Sequence, residues 1–293
     1  MRILILGAYG MVGHKLFLTL SKRFDLFATC RSFHKKWSHI LPKERLFADV
    51  HADNFDSVIG AVQSVAPDVV INCIGIVKQL DAAKDPVVSI NINALFPHML
   101  ANLCGTSGAK LIHFSTDCVF SGRKGRYTED DICDAEDLYG RTKYLGEVSG
   151  KGCLTIRSSV IGRELGTSTA LLEWFLSQRG KKVKGFSKAI YTGFTTKAMA
   201  DIVIKIIEKH SALSGVWQVA SKPISKYELL CMINRRMGLN VDIEKDEQFV
   251  CDRSLDGSRF VEETGIATPI WEKMIDQLVD EEIFYSSKRS SYV

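Results

Sequence analysis

Through residues 1–160, short apolar runs alternate with longer segments of mixed, helix-like character. The apolar runs are RILILG, DLFATC, DVVINCIG, KLIHFST and CLTIRSSV. Between them lie GMVGHKLFLTLSKR, NFDSVIGAVQSV and DPVVSININALFPHMLANLCGTSG. Strands that are apolar on both faces, with helices between them, predict an α/β fold: a Rossmann-type, doubly wound parallel sheet. Asp85 followed by Pro86 reads as an N-cap and a first helical turn. After about residue 160 the pattern loosens. Helices are expected at TALLEWFLSQR, TTKAMADIVIKIIEKH, SKYELLCMINRRMG and IWEKMIDQLVDEE, with short strands such as GVWQVA between them. The division expected is an NAD(P)-binding domain over 1–160, its sheet extended by a strand near 215–220, and a smaller substrate-binding lobe over 161–293. No internal repeat or low-complexity linker interrupts the chain, and the polar tail SSKRSSYV reads as frayed.

Composition narrows the partners. The chain has 293 residues, 46% hydrophobic and 25% charged, enough to bury a substantial core. A net charge of +4 is mild: it calls for no nucleic acid and suits a small anionic substrate. The cysteines at 30, 73, 104, 118, 133, 153, 231 and 251 form no CxxC pair. No metal-ligand spacing appears, and a reducing, cytoplasmic compartment is expected. MRILILG is too short for a signal-peptide core, and no apolar run approaches the roughly 18 residues of a membrane span, so no membrane partner is expected.

The first βα junction, RILILGAYGMVGHKL, places Gly7, Gly10 and Gly13 between strand and helix. Glycines there permit a tight turn, a close approach of backbone to a pyrophosphate, and tight helix packing, with the helix N-terminus facing the phosphates. Tyr9, Met11 and Val12 belong to the same loop. The end of the second strand carries Arg31 and Ser32, with His34, Lys35 and Lys36 following, and no carboxylate. A dinucleotide site that prefers NAD(H) usually has an acid there, whereas an Arg accommodates a 2′-phosphate, so NADP(H) is expected over NAD(H). Asp49, Val50, Cys73, Ile74 and Gly75 complete the cofactor set along the sheet's carboxyl edge.

DLYGRTKYLGE puts Tyr139 and Lys143 four residues apart, on one helix face. A neighbouring ammonium favours a phenolate. Upstream, KLIHFSTDCVF ends a strand at Ser115, Thr116 and Asp117. A strand-end hydroxyl followed by YxxxK resembles the active-site arrangement of the extended short-chain dehydrogenase/reductases. Over HFSTDCVFSGRKGRYTEDDICDAEDLYGRTKYLGE the chain resembles the dTDP-4-dehydrorhamnose reductase family, with its STDYVF-G, Y-x-E-x-D and YGxxKxxGE stretches. The likeness covers most of 1–160 and continues more weakly beyond.

That resemblance implies reduction, by NAD(P)H, of a keto group on a nucleotide-linked deoxysugar. It gives Thr116 the substrate carbonyl or a sugar oxygen and makes Tyr139 the proton donor. Lys143 holds the nicotinamide ribose and lowers the tyrosine pKa. Asn93 matches the Asn that supports the lysine through water; a helix-packing amide is the other reading. Thr116, Asp117, Cys118, Val119, Phe120 and Val160 form the implied substrate set. Cys118 stands where the family's STDYVF has tyrosine, and Val160 where an aromatic often follows RTS. A different or larger sugar is therefore compatible, an N-acetylated deoxysugar on UDP among them. A homodimer is compatible too.

Arg157, at a strand end near the cleft, reads equally as an ion pair or a substrate contact. RGKKVKGF, residues 179–186, is better read as a solvated loop than as a diphosphate site. His113 reads as core, and His14, His51 and His98 lack metal-spaced partners. Trp174 and Phe175 read as helix core, with base stacking the alternative. Two competing functions remain. One is a nucleotide-sugar epimerase or dehydratase, against which the missing acid or base after Asp117 counts. The other is a non-catalytic, NADP-binding regulatory subunit, against which intact Thr116, Tyr139 and Lys143 count.

Overall fold

The computed structural model describes residues 1–166 and 168–289. The first half contains strands β1 (Arg2–Leu6), β2 (Asp25–Thr29), β3 (Leu46–Phe47), β4 (Val69–Asn72), β5 (Lys110–Ser115) and β6 (Cys153–Arg157). Its helices are α1 (Met11–Leu20), α2 (Phe55–Val65), α3 (Pro86–Ser89), α4 (Phe96–Ser107) and α5 (Leu138–Leu145). The second half contains β7 (Val160–Ile161), β8 (Lys182–Tyr191), β9 (Phe194–Thr195), β10 (Gly215–Gln218), β11 (Ile224–Ser225) and β12 (Asp242–Asp252). Its helices are α6 (Leu171–Leu176), α7 (Thr196–Lys209), α8 (Lys226–Met237), α9 (Ser258–Thr264) and α10 (Trp271–Arg289).

Seven strands form one all-parallel sheet in the order β10-β6-β5-β4-β1-β2-β3. The apolar runs explain why it is covered on both faces. Ile3 and Ile5 of β1 enter the core under α1 and α7, while Leu4 and Leu6 enter the core under α2 and α4. Val69 and Ile71 repeat the first direction and Val70 the second. The strand order reverses between β1 and β4, which opens a crevice at the strands' carboxyl ends, the usual ligand position in such sheets.

Residues 86–107 form one helix, with a π-helical stretch, Ile90–Leu95, between α3 and α4. Asp85 Oδ1 accepts from the amides of Val87 at 2.9 Å and Val88 at 3.3 Å, so the cap read from Asp85-Pro86 is present. The expectation that no segment reaches membrane-spanning length is corrected. By length and composition this helix qualifies, and the interrupting Asn and His residues had hidden it. Its Phe96, Leu100 and Cys104 are packed into the core.

Besides β10, the second half forms a smaller sheet, β11-β8-β12, and a two-stranded one, β7-β9. RGKKVKGF is not a loop throughout, since β8 begins at Lys182; its cations face acids on β12, Lys182 to Glu244 at 2.9 Å and Lys184 to Asp246 at 3.1 Å. Helix α10 extends through Arg289, so the first four residues of the tail read as frayed are helical, while 290–293 lie outside the described residues.

Candidate active site

The glycine loop is built for close approach. Gly7 has φ +89°, and a Cβ there would sit 3.2 Å from the carbonyl carbon of Cys73. At Gly13 a Cβ would lie 2.1 Å from Gly7 O, so any side chain would push α1 off the loop. These two positions form a cradle that suits a pyrophosphate at the N-terminus of α1, where Met11 and Val12 make the first turn. His14 braces the loop from behind. Its Nδ1 bonds Gly10 O at 2.8 Å, so its Nε2 accepts from the Tyr285 hydroxyl at 2.7 Å, and burial pushes its pKa down to about 3.

Beside the loop, the amide of His34 donates to the Tyr9 hydroxyl at 3.0 Å, and the two rings meet edge-on at 4.9 Å. Arg31 and Ser32 are exposed at the carboxyl end of β2, and Arg31 forms no ion pair or hydrogen bond among the described residues. Lys36 lies over the Trp37 ring at 5.0 Å. Asp49 turns the chain with φ +59°, which lets the Val50 amide reach Cys30 O at 3.1 Å and brings this pair to the same edge.

Across the switch point the backbone after β4 is held from two sides. The Ile74 amide donates to Asn72 Oδ1 at 3.0 Å, and Asn72 Nδ2 donates to His113 Nδ1 at 3.1 Å. His113 is buried and held neutral by burial and by Lys143, so it is core, as read from the strand. Asn93 projects from the π-helical stretch, accepting from the Ile76 amide at 2.9 Å and donating to Ile76 O at 3.0 Å. Such bulges recur at functional sites because they re-aim one side chain. A Cβ on Gly75 would be 3.4 Å from Asn93 Oδ1 and 4.0 Å from Lys143 Nζ, so the three positions adjoin.

The short helix α5 presents Tyr139 and Lys143. Asp137 caps it through the Gly140 amide at 2.8 Å, and Gly140 lets it press against the Thr116–Val119 turn, since a Cβ there would lie 2.2 Å from Cys118 O. Thr116 Oγ1 donates to Asp117 Oδ1 and accepts from the Cys118 amide, each at 3.1 Å. Tyr139 lies next to Thr116, near enough for the Thr116 hydroxyl to act on its phenol.

The expected lowering of the tyrosine pKa by Lys143 is not what the geometry gives. Although Tyr139 is only half-buried as a residue, its hydroxyl lies deep, and burial pushes its pKa well up. Cys118, Asp117 and Asp137 add to this, while the neighbouring Thr116 hydroxyl opposes it. Lys143 instead donates to Phe114 O at 2.7 Å and is itself brought down to about 8 by burial, against an upward pull from Glu147. Glu147 ends the YGxxKxxGE stretch and accepts from Ser115 Oγ at 2.7 Å and from Arg157 Nε and Nη2 at 2.8 and 2.7 Å. Arg157 is therefore an ion-pair residue.

The substrate set divides. Asp117 is buried and Cys118 partly exposed beside the Thr116–Tyr139 pair. Val119 and Phe120 are corrected: both are fully buried, and Phe120 stacks on Tyr127 at 4.2 Å, so their side chains serve a small core with Leu255. Val160 is half-buried on β7, next to Phe194 of β9. Phe175 is core, but Trp174 is exposed. Sequence reasoning missed Arg253, which follows β12 and lies 3.6 Å from Cys118 Sγ. Only its position after a charged, unassigned segment was visible. Among the described residues no cluster of three or more His, Cys, Asp or Glu residues adjoins in a metal-binding arrangement.

Residues 1–283 match the family model described as the RmlD substrate binding domain. The chain belongs to that family. The spore coat polysaccharide biosynthesis protein SpsK of Bacillus subtilis is 25% identical over 96% of this chain and 97% of its own length. Methionine adenosyltransferase 2 subunit beta of Mus musculus is 24% identical over 97% of this chain and 91% of its own. The solved structure of dTDP-4-dehydrorhamnose reductase from Bacillus anthracis, in complex with NADP, superposes with a TM-score of 0.77 at 23% identity, covering 96% of this chain and 99% of that one. An RmlD-like extended short-chain dehydrogenase/reductase is the class these matches and the parallel sheet define.

Proposed function

We propose that this protein uses NADPH to reduce a 4-keto group on a nucleotide-linked 6-deoxyhexose, dTDP- or UDP-borne, in the cytoplasm. The observation that carries the reading is the packing of α5 on the Thr116–Val119 turn, which sets Tyr139 beside Thr116 with Lys143 one helical turn on, in a chain of the RmlD family. The cradle at Gly7 and Gly13 suits the dinucleotide, which supplies the hydride when bound. Arg31, unpaired at the end of β2, supports NADPH over NADH.

The residues then have separate tasks. Thr116 holds the substrate carbonyl oxygen, where negative charge develops, and Tyr139 gives that oxygen its proton. A phenol whose pKa burial has raised stays protonated across the physiological range, which suits a donor. Lys143, enclosed and bonded to Phe114 O, offers its remaining donors to the nicotinamide ribose, and Asn93 fixes the neighbouring backbone.

A second reading has its own support: the mouse subunit beta, named as a subunit of another enzyme, matches nearly the whole chain. Purified protein given NADPH and a panel of dTDP- and UDP-4-keto-6-deoxyhexoses separates the possibilities. Stoichiometric loss of NADPH with one sugar is the expected result. Retained cofactor with sugar interconversion and no net consumption would indicate an epimerase. Binding of NADPH with no turnover on any sugar would favour the regulatory subunit.

A further inference from the structure

Arg253 differs in its bonding from the arginines buried deeper in the fold. Arg157 is paired with Glu147 at 2.7 Å, and Arg163 with Glu173 at 2.5 Å. Arg253 is half-buried and has no ion pair among the described residues. Its Nε donates to Phe120 O at 2.8 Å and its Nη1 reaches Cys118 Sγ at 3.6 Å, while Nη2 has no hydrogen bond there. Asp117 and Asp137 act on it only at longer range. Part of the guanidinium is enclosed, while its unbonded Nη2 is not among the buried polar atoms, so that edge stays open for an anion to form a charge-assisted pair.

The position of this cation is set by the fold. The Cys118 thiol lies against it, 3.6 Å from Nη1. Cys118 belongs to the turn that begins at Thr116 and packs on Gly140, next to Tyr139. Arg253 thus brings a positive charge from the second half of the chain to the wall of the cleft that holds the proton donor.

We propose that Arg253 is a specificity-determining residue that binds an oxyanion of the substrate through its uncommitted Nη2 edge. The oxyanion is a phosphate of the nucleotide diphosphate or a carboxylate on the sugar. A planar guanidinium suits either, since both offer paired oxygens to its fork. This assignment rests on the nucleotide-sugar reading above, and binding rather than turnover tests it.

Calorimetric titration of the NADP-loaded protein with UDP, dTDP, UDP-glucose and UDP-glucuronate reads the site directly. Arg253→Gln is expected to weaken binding by about 10- to 100-fold, the range for a hydrogen bond to a charged group. Arg253→Lys, which keeps the charge and loses the fork, should lose less. Equal losses for all four ligands assign the diphosphate, and a loss confined to UDP-glucuronate assigns a carboxylate. NADPH affinity, which Arg253 does not serve, reports folding; if Arg253→Gln fails that check, Arg253→Lys carries the comparison. Dissociation constants within twofold of the parent for every ligand overturn the proposal. A parent protein that binds NADPH but none of the four nucleotides overturns the nucleotide-sugar reading itself, and this assignment with it.

Discussion

Replacing Glu147 by Gln should expose how much of the site's rigidity depends on one buried carboxylate. The Glu147 and Arg157 side chains are each only 5% exposed, and their contact is bidentate, at 2.8 and 2.7 Å, with Ser115 Oγ on the same carboxylate. The amide of Gln can accept one of these bonds but carries no charge, so Arg157 is left buried without a counter-ion. Breaking a buried pair in this way typically costs about 3–5 kcal/mol, and the retained acceptor places this case near the lower end. Urea denaturation at neutral pH, with the slope held equal between variants, measures the loss. A second variant tests the cause: Glu147→Gln with Arg157→Met leaves no unpaired charge and should recover a large part of the stability. The same substitution removes the main upward pull on Lys143, so its pKa should fall further below about 8. A loss under about 1 kcal/mol, or a double variant no more stable than the single, would refute the argument, because the pair would then behave as a solvated surface bridge.

Other outcomes follow from the same geometry. Arg31→Ala should weaken NADPH by about 1.5–3 kcal/mol and leave NADH nearly unchanged, the range for a hydrogen bond to a charged group; equal losses for both cofactors would assign Arg31 to its loop instead. Lys143, at about 8 in the fold and about 10.4 unfolded, binds fewer protons folded than unfolded between those values. Its burial therefore costs stability fully below pH ~8, and stability recovers as pH rises towards ~10, by an amount on the order of 3 kcal/mol. Thermal melts of the parent against Lys143→Met across that window should show the recovery in the parent alone, and parallel curves would contradict it.

The parallel sheet was legible because its strands are apolar on both faces, and the Gly7–Gly13 loop because its spacing sits at a strand–helix junction. The charged strand β12 was not, since DIEKDEQFVCD buries little on either face and owes its pairing to β8. Two-residue β3 was too short to leave a pattern. YxxxK correctly put Tyr139 and Lys143 on one helix, yet the direction of the tyrosine's pKa was hidden, because depth of burial is a property of the folded cleft. Val119 and Phe120 share a motif with Thr116, but the turn at 117–119 sends their side chains inward. Arg253 lies 135 residues from Cys118, and only the tertiary fold brings the two together.

The central claim is that Tyr139 delivers the proton to the reduced carbonyl, and Tyr139→Phe tests it most directly. The substitution keeps the ring and removes the hydroxyl that meets Thr116, so folding and NADPH binding should persist. Single-turnover oxidation of bound NADPH by the accepted 4-keto sugar should slow by about 10²–10⁴-fold, the usual contribution of a positioned acid. A Tyr139→Phe protein that reduces the sugar at close to the parent rate would contradict the account.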